Sequence, residues 1–211
     1  MYIPARFAES DLSVLQLLIE QRPFGTWVTA GEAELVVNHL PFLLDRGRGD
    51  NGTLMGHVAR SNPVWRQFSA ALPSVFVFHG PQAYISPSWY PSKAEHGKAV
   101  PTWNYAVVHA HGLPRAIHDR DWLLDHVTRH SAAREAGKAS PWQVSDAPAA
   151  FVEALLQGIV GIEVPISKLE GKWKVSQNRP AADRLGAAAG LREQGDETAI
   201  AMAELIRSRA P

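Results

Sequence analysis

Four successive segments, 24–30, 34–44, 53–58 and 74–79, are rich in Val, Phe, Leu and Thr and bounded by Gly, Asn and Pro. Runs of this kind read as strands of a meander, and this succession constrains the fold more than any other feature. Asp50-Asn51-Gly52 between the second and third segments is a hairpin turn, because Asn and Gly tolerate the positive φ it needs. A further strand is expected at 103–111, turning at Gly112 and continuing to about 118, and another at 159–165.

Helices are expected around these strands. Ser10 is a candidate N-cap for a helix carrying Leu12, Leu15, Leu18 and Ile19 up to the Pro23 stop. Asn62 caps a short helix with Pro63 at its first position. Asp119 caps an amphipathic helix, a second helix follows Asp146, and an Ala-rich helical tail occupies 178–211. Residues 81–102 read as a long aromatic loop. The order predicts an α+β fold, a barrel of antiparallel strands with peripheral helices and a C-terminal helical tail, rather than alternating β-α-β. The whole chain, 1–211, is expected to be one domain.

Charge and cysteine content narrow the function. Lys plus Arg and Asp plus Glu number 21 each, so net charge is zero and composition does not support a duplex-DNA binder. Arg in the candidate recognition helices, 119–136 and 178–208, is accompanied by Asp and Glu. The chain has no cysteine, which excludes thiolate metal sites, iron–sulfur clusters, disulfides and a Cys nucleophile. No secretory signal and no apolar run of the ~20 residues needed for a membrane span are visible, so a cytoplasmic protein with no membrane partner is expected.

Three clusters stand out from the strand background. In Gly56-His57-Val58-Ala59-Arg60-Ser61-Asn62-Pro63, a strand runs into a helix N-terminus beside Arg60. That arrangement suits a phosphate, and it equally suits a capping Asn next to a surface Arg. Tyr84-Ile85-Ser86-Pro87-Ser88-Trp89-Tyr90 and Val100-Pro101-Thr102-Trp103-Asn104-Tyr105 mix apolar rings with a few polar groups. The mix suits a planar heteroaromatic ligand, or the plug of a barrel mouth or dimer interface.

Further along, Lys172 to Arg179 combines two Lys, one Arg and several hydroxyl or amide groups, read as a phosphate contact or as a solvated basic turn. His109 and His111 share a strand face and His126 and His130 a helix face, but neither pair sits in a metal motif, so no metal is expected. No P-loop, no GxGxxG and no GxSxG is present.

These segments resemble the FMN-binding negative transcriptional regulators of the PaiB type, small bacterial proteins. The similarity runs nearly end to end, from Met1-Tyr2-Ile3-Pro4 and His39-Leu40-Pro41-Phe42 through the clusters above to Lys174 and Gln177-Asn178-Arg179. The resemblance implies an FMN-binding split barrel, similar to pyridoxamine-phosphate oxidase and the flavin reductases. It also implies a homodimer with FMN at the interface.

Carried over residue by residue, it makes Arg60 and Asn62, with His57 beside them, candidates on the phosphate side. Ser86, Thr102, Trp103 and Asn104 become candidates for the ring or ribityl chain. Lys174, Gln177 and Arg179 would complete the site from the same or the partner subunit. The implied role is transcriptional regulation. Two alternatives stay open: a flavin-dependent oxidoreductase or flavin reductase on a small substrate, and a haem-binding or haem-degrading split barrel. No catalytic residue is singled out.

Overall fold

The computed structural model describes residues 1–31 and 34–209. Its strands are β1 (Ala8–Glu9), β2 (Phe24–Ala30), β3 (Leu35–Pro41), β4 (Leu43–Asp45), β5 (Thr53–Ala59), β6 (Ser74–Ile85), β7 (Thr102–Gly112), β8 (Arg115–Ile117) and β9 (Ile159–Lys174). They follow the order β3-β2-β6-β7-β9-β5-β4, with β1 and β8 also pairing with β9. The helices are α1 (Leu12–Gln21), α2 (Val64–Gln67), α3 (Pro91–His96), α4 (Arg120–Glu135), α5 (Ala149–Gln157), α6 (Ala181–Gln194) and α7 (Glu197–Ser208). The mixed α+β class and the antiparallel sheet agree with expectation.

The chain forms two compact units, one of residues 1–15, 79–108 and 170–211, the other of 16–78 and 109–169. The second unit holds the β2–β3 hairpin, paired from Phe24↔Pro41 to Ala30↔Leu35, and the β5–β9 ladder from Thr53↔Pro165 to Ala59↔Ile159. Its aromatic core stacks Trp27 on Phe76 at 5.6 Å and sets Phe42 edge-on to Phe76 at 5.3 Å. The first unit holds the β1–β9 pair and the tail helices, buried through Ala187, Leu191, Met202 and Ile206. Among the described residues no helix is long and apolar enough to cross a membrane.

Several boundaries differ from the sequence expectation, each for a local reason. Asp11, not Ser10, caps α1: its Oδ1 accepts from the Ser13 N–H at 2.8 Å. The segment 34–44 is two strands: β3 pairs with β2 as far as Pro41, buried Phe42 adds one bond to the Pro23 carbonyl at 2.9 Å, and the chain then pairs with β5.

The segment 81–102 is not one loop. β6 runs on to Ile85, a 3-10 turn occupies Pro87–Trp89, and α3 follows. β9 continues nine residues beyond the expected stop at 165, to Lys174. Pro165 does not interrupt the pairing with β5, because the donor there is the next residue, Ile166, to the Gly52 carbonyl at 3.0 Å.

Gly112 ends β7 and β8 begins at Arg115, a break where one was expected; a Cβ on Gly112 would come within 2.5 Å of the Pro165 carbonyl oxygen. Gly52, at φ +90, does make the turn expected of it. Asp119 accepts from the Trp122 N–H and Asn62 from the Val64 N–H, as caps should. The helical tail is α6 and α7; Ala210 and Pro211 lie outside the described residues.

Candidate functional site

In the first unit, the start of β7 and the end of β9 bring several candidates together. Lys174 Nζ donates to Thr102 Oγ1 at 2.5 Å and to the Trp103 carbonyl at 2.6 Å. Asn104, buried on the same strand, donates from Nδ2 to Ser176 Oγ at 2.8 Å. Its own Oδ1 is buried and accepts no hydrogen bond among the described residues. Trp103 stays half exposed, with Nε1 donating to Gln82 Oε1 at 3.2 Å and its ring edge-on to exposed Tyr84.

The chain after Lys174 is held by its own side chains. Gln177 accepts from the Val175 N–H at 2.8 Å and donates to the Trp173 carbonyl at 2.5 Å. Ser176 adopts φ 65, a conformation rarely taken by a residue other than glycine. Arg179 lies 4.9 Å above the ring of Tyr90.

Three cations thus gather here: Lys172, Lys174 and Arg179. Their partners among the described residues are hydroxyl and carbonyl oxygens and aromatic rings, with no carboxylate. Partial burial pushes the Lys174 pKa down, and Lys172 and Arg179 push it further the same way. An ammonium in that position gains from a nearby anion, because opposite charge restores what desolvation removes.

Ser86 acts locally, capping the 3-10 turn by accepting from the Ser88 N–H at 3.2 Å. The turn is seated on α6. A Cβ on Gly186 would come within 2.0 Å of the Trp89 carbonyl oxygen, and one on Gly190 within 2.4 Å of the Trp89 ring. Buried Asp183 fastens the next residues, accepting from Ser92 N at 3.1 Å and Ser92 Oγ at 2.7 Å. Trp89 is therefore a packing residue.

The other three candidates lie in the second unit, each with at least one hydrogen-bond partner there. Arg60 donates from Nε to the Gln157 carbonyl at 2.6 Å and from Nη2 to the Ile159 carbonyl at 2.8 Å. A cation at the C-terminal end of α5 is favoured there by the helix dipole. Asn62 donates to Asn38 Oδ1 at 2.7 Å besides capping α2, and α2 is a single turn with little dipole of its own. His57 Nδ1 lies 3.0 Å from His126 Nε2.

Sequence reasoning named Lys172 and Ser176 only as part of the run 172–179, and it passed over Asp183 and the His57–His126 contact. Lys172 and Lys174 are two apart, a spacing that places both on one strand face once β9 is seen to extend past Pro165. No local signal marks Asp183, whose role depends on a partner 91 residues away.

Residues 1–168 match the family described as "Putative FMN-binding domain". That span ends before Lys174, Gln177 and Arg179, whereas full-length relatives cover them. A protein of Emericella nidulans is 34% identical, over 99% of this chain and 97% of its own length. The Bacillus subtilis "Protease synthase and sporulation protein PAI 2" is 31% identical over 99% of this chain and 98% of its own. The relatives are thus both bacterial and fungal.

Among solved structures, the "FAD and Heme binding protein from Mycobacterium smegmatis" aligns with a TM-score of 0.60 at 14% identity, covering 87% of this chain and 80% of that one. Such a likeness concerns architecture alone, and it agrees with an antiparallel split barrel. On the span and strength of these matches, the chain belongs to the FMN-binding domain family.

Proposed function

We propose that the flavin of this family, FMN before other flavins, is held in the first unit by the groups around Lys174. The observation that carries the reading is the trio of Lys172, Lys174 and Arg179 without a carboxylate. FMN offers a phosphate to those cations. Lys174 takes the phosphate and Thr102 orients the ammonium. Trp103 supplies an aromatic wall, with Ser86, Gln177 and Arg179 around it. His57, Arg60 and Asn62 shape the β5–α2 corner and enter the flavin site only through a partner's contribution. When bound, the flavin supplies one- and two-electron redox chemistry; the protein supplies position and charge.

The chain acts as a homodimer through the outer face of the β2–β3 hairpin. Phe24, Val28, Ala30, Leu35, Val37 and Pro41 share that face with the hydrogen-bonded pair Thr26 and His39, and Phe24, Leu35 and Val37 are 65%, 71% and 53% exposed. A mainly apolar surface with one internally paired polar couple can be self-complementary across a twofold axis.

The role is regulatory, of the PaiB type, and indirect. Two of the three Arg of α4 are spent on neighbours, Arg120 on Asp121 and Glu153 and Arg129 on Asp45 and Asp125, and the exposed Arg134, Arg192 and Arg207 sit singly in the last turns of α4, α6 and α7. Arg184 in α6 is buried, and Arg209 beyond α7 pairs with Glu9. No clustered basic face is left among these helices for duplex DNA. A second reading, a flavin-dependent oxidoreductase, is favoured by the exposure of Trp103 and Tyr84, which leaves the site open to a small substrate.

One experiment tests the flavin reading and separates the two roles. Protein incubated with FMN and freed of excess retains a flavin spectrum. A spectrum that stays oxidised with NADPH supports the regulator, and one that bleaches supports the oxidoreductase. Failure to retain flavin sinks both.

A further inference from the structure

The second unit contains a cavity of about 320 Å³ under α4 and α5 that none of the flavin chemistry uses. Val127, Trp142, Phe151, Leu155 and Ile159 form apolar walls, and Ser131 and His57 are among its few polar lining groups. Among the described residues no Lys or Arg lines it, so its walls offer no cation to a phosphate. Its size falls in the range of small-molecule pockets, typically ~300–1,000 Å³.

His57 is held in place from behind. Its Nδ1 is 3.0 Å from His126 Nε2, and the His126 ring stacks on Trp122 at 5.2 Å. The other His57 nitrogen, Nε2, has no hydrogen-bond partner among the described residues and is not sealed from solvent. We propose that the cavity is a second ligand site, taking a small neutral phenol or aromatic alcohol whose hydroxyl meets His57 Nε2.

Three observations select that chemistry. The walls are aromatic and aliphatic, which favours a ring over a polar chain. One proton is shared between His57 and His126, so Nε2 is a donor in one tautomer and an acceptor in the other; a hydroxyl suits both. Burial lowers the pKa of His57, and burial with the neighbouring His57, His130 and Arg129 lowers that of His126 to about 3. The imidazoles therefore stay neutral near pH 7, and a carboxylate gains no ion pair from them.

The test is calorimetric titration of the full-length protein, with flavin as isolated, using 2-naphthol, 2-naphthoate and naphthalene. 2-Naphthol binds at one site per chain, about tenfold more tightly than 2-naphthoate. Ser131→Leu, which fills the cavity with a better helix former, weakens 2-naphthol about tenfold. Val152→Phe fills the same cavity from α5 and serves if Ser131→Leu melts early. His57→Phe abolishes the preference for 2-naphthol over naphthalene. No heat with 2-naphthol, equal binding of 2-naphthoate, or a folded cavity-filled variant that binds like wild type overturns the proposal.

Discussion

Lys174 Nζ lies 2.5 Å from Thr102 Oγ1, joining the end of β9 to the start of β7 across 72 residues of sequence. The hydroxyl and the Trp103 carbonyl solvate the ammonium without neutralising it. The Lys174 charge thus remains available to an anionic ligand, whereas Arg60 is docked against carbonyls at the end of α5.

The two residues should separate under mutation. Arg60→Ala removes hydrogen bonds from a cation to the Gln157 and Ile159 carbonyls on an exposed surface, at a cost of about 1 kcal/mol of stability. A thermal melt should show a drop of a few degrees. An unchanged melt would show that the guanidinium contributes nothing to the fold.

Much of this was legible in the sequence, because the signals involved are local. Gly52 at a hairpin, Asp119 and Asn62 as caps, and the strand segments 24–30 and 53–58 all follow from turn chemistry and residue preference. What was not legible depends on ladders and distant partners. The strand expected at 159–165 stops at Pro165, whereas Ile166 donates to Gly52 and β9 runs on to Lys174, and the shorter reading hides Lys172 and Lys174 on one strand. Arg60 and Trp89 look like ligand groups until the carbonyls of β9's start and the glycines of α6 are set beside them.

Gly186 and Gly190 should resist replacement despite lying within a helix. Alanine there improves helix propensity by about 1 kcal/mol, but the new Cβ meets the Trp89 carbonyl or ring. A backbone oxygen cannot step aside as a flexible side chain can. Gly186→Ala should be destabilising by roughly 1–3 kcal/mol net, measured by urea unfolding. A stabilised variant would contradict the seating of the 86–90 turn on α6.

Acid should weaken the second unit over a defined range. His126 has a pKa of about 3 in the folded protein against 6.5 when unfolded, so the unfolded chain binds the proton more readily. Its contribution is fully present above pH 6.5 and declines as pH falls toward 3, by about 1.4 kcal/mol per pH unit. His57 and His130, also lowered, act in the same direction. His126→Phe should flatten the decline in melting temperature between pH 7 and 5, and an equally steep decline would assign it to other groups.

Placing charge on the β2–β3 face should dissociate the dimer without unfolding the chain. Val37 is 53% exposed, so Val37→Lys puts an ammonium in water in the monomer but buries it in the dimer. Sedimentation should then find a folded monomer where wild type sediments as a dimer. A Val37→Lys dimer of wild-type stability would move the interface elsewhere.

The central claim, that Lys174 anchors a flavin phosphate, is tested most directly by titrating wild type and Lys174→Met with FMN and with riboflavin, which lacks the phosphate. A charge-assisted contact of about 1.5–3 kcal/mol makes FMN roughly ten- to a hundredfold tighter than riboflavin in wild type. In Lys174→Met that difference should collapse while riboflavin binding persists. A folded Lys174→Met protein that still prefers FMN by the wild-type margin would contradict the account.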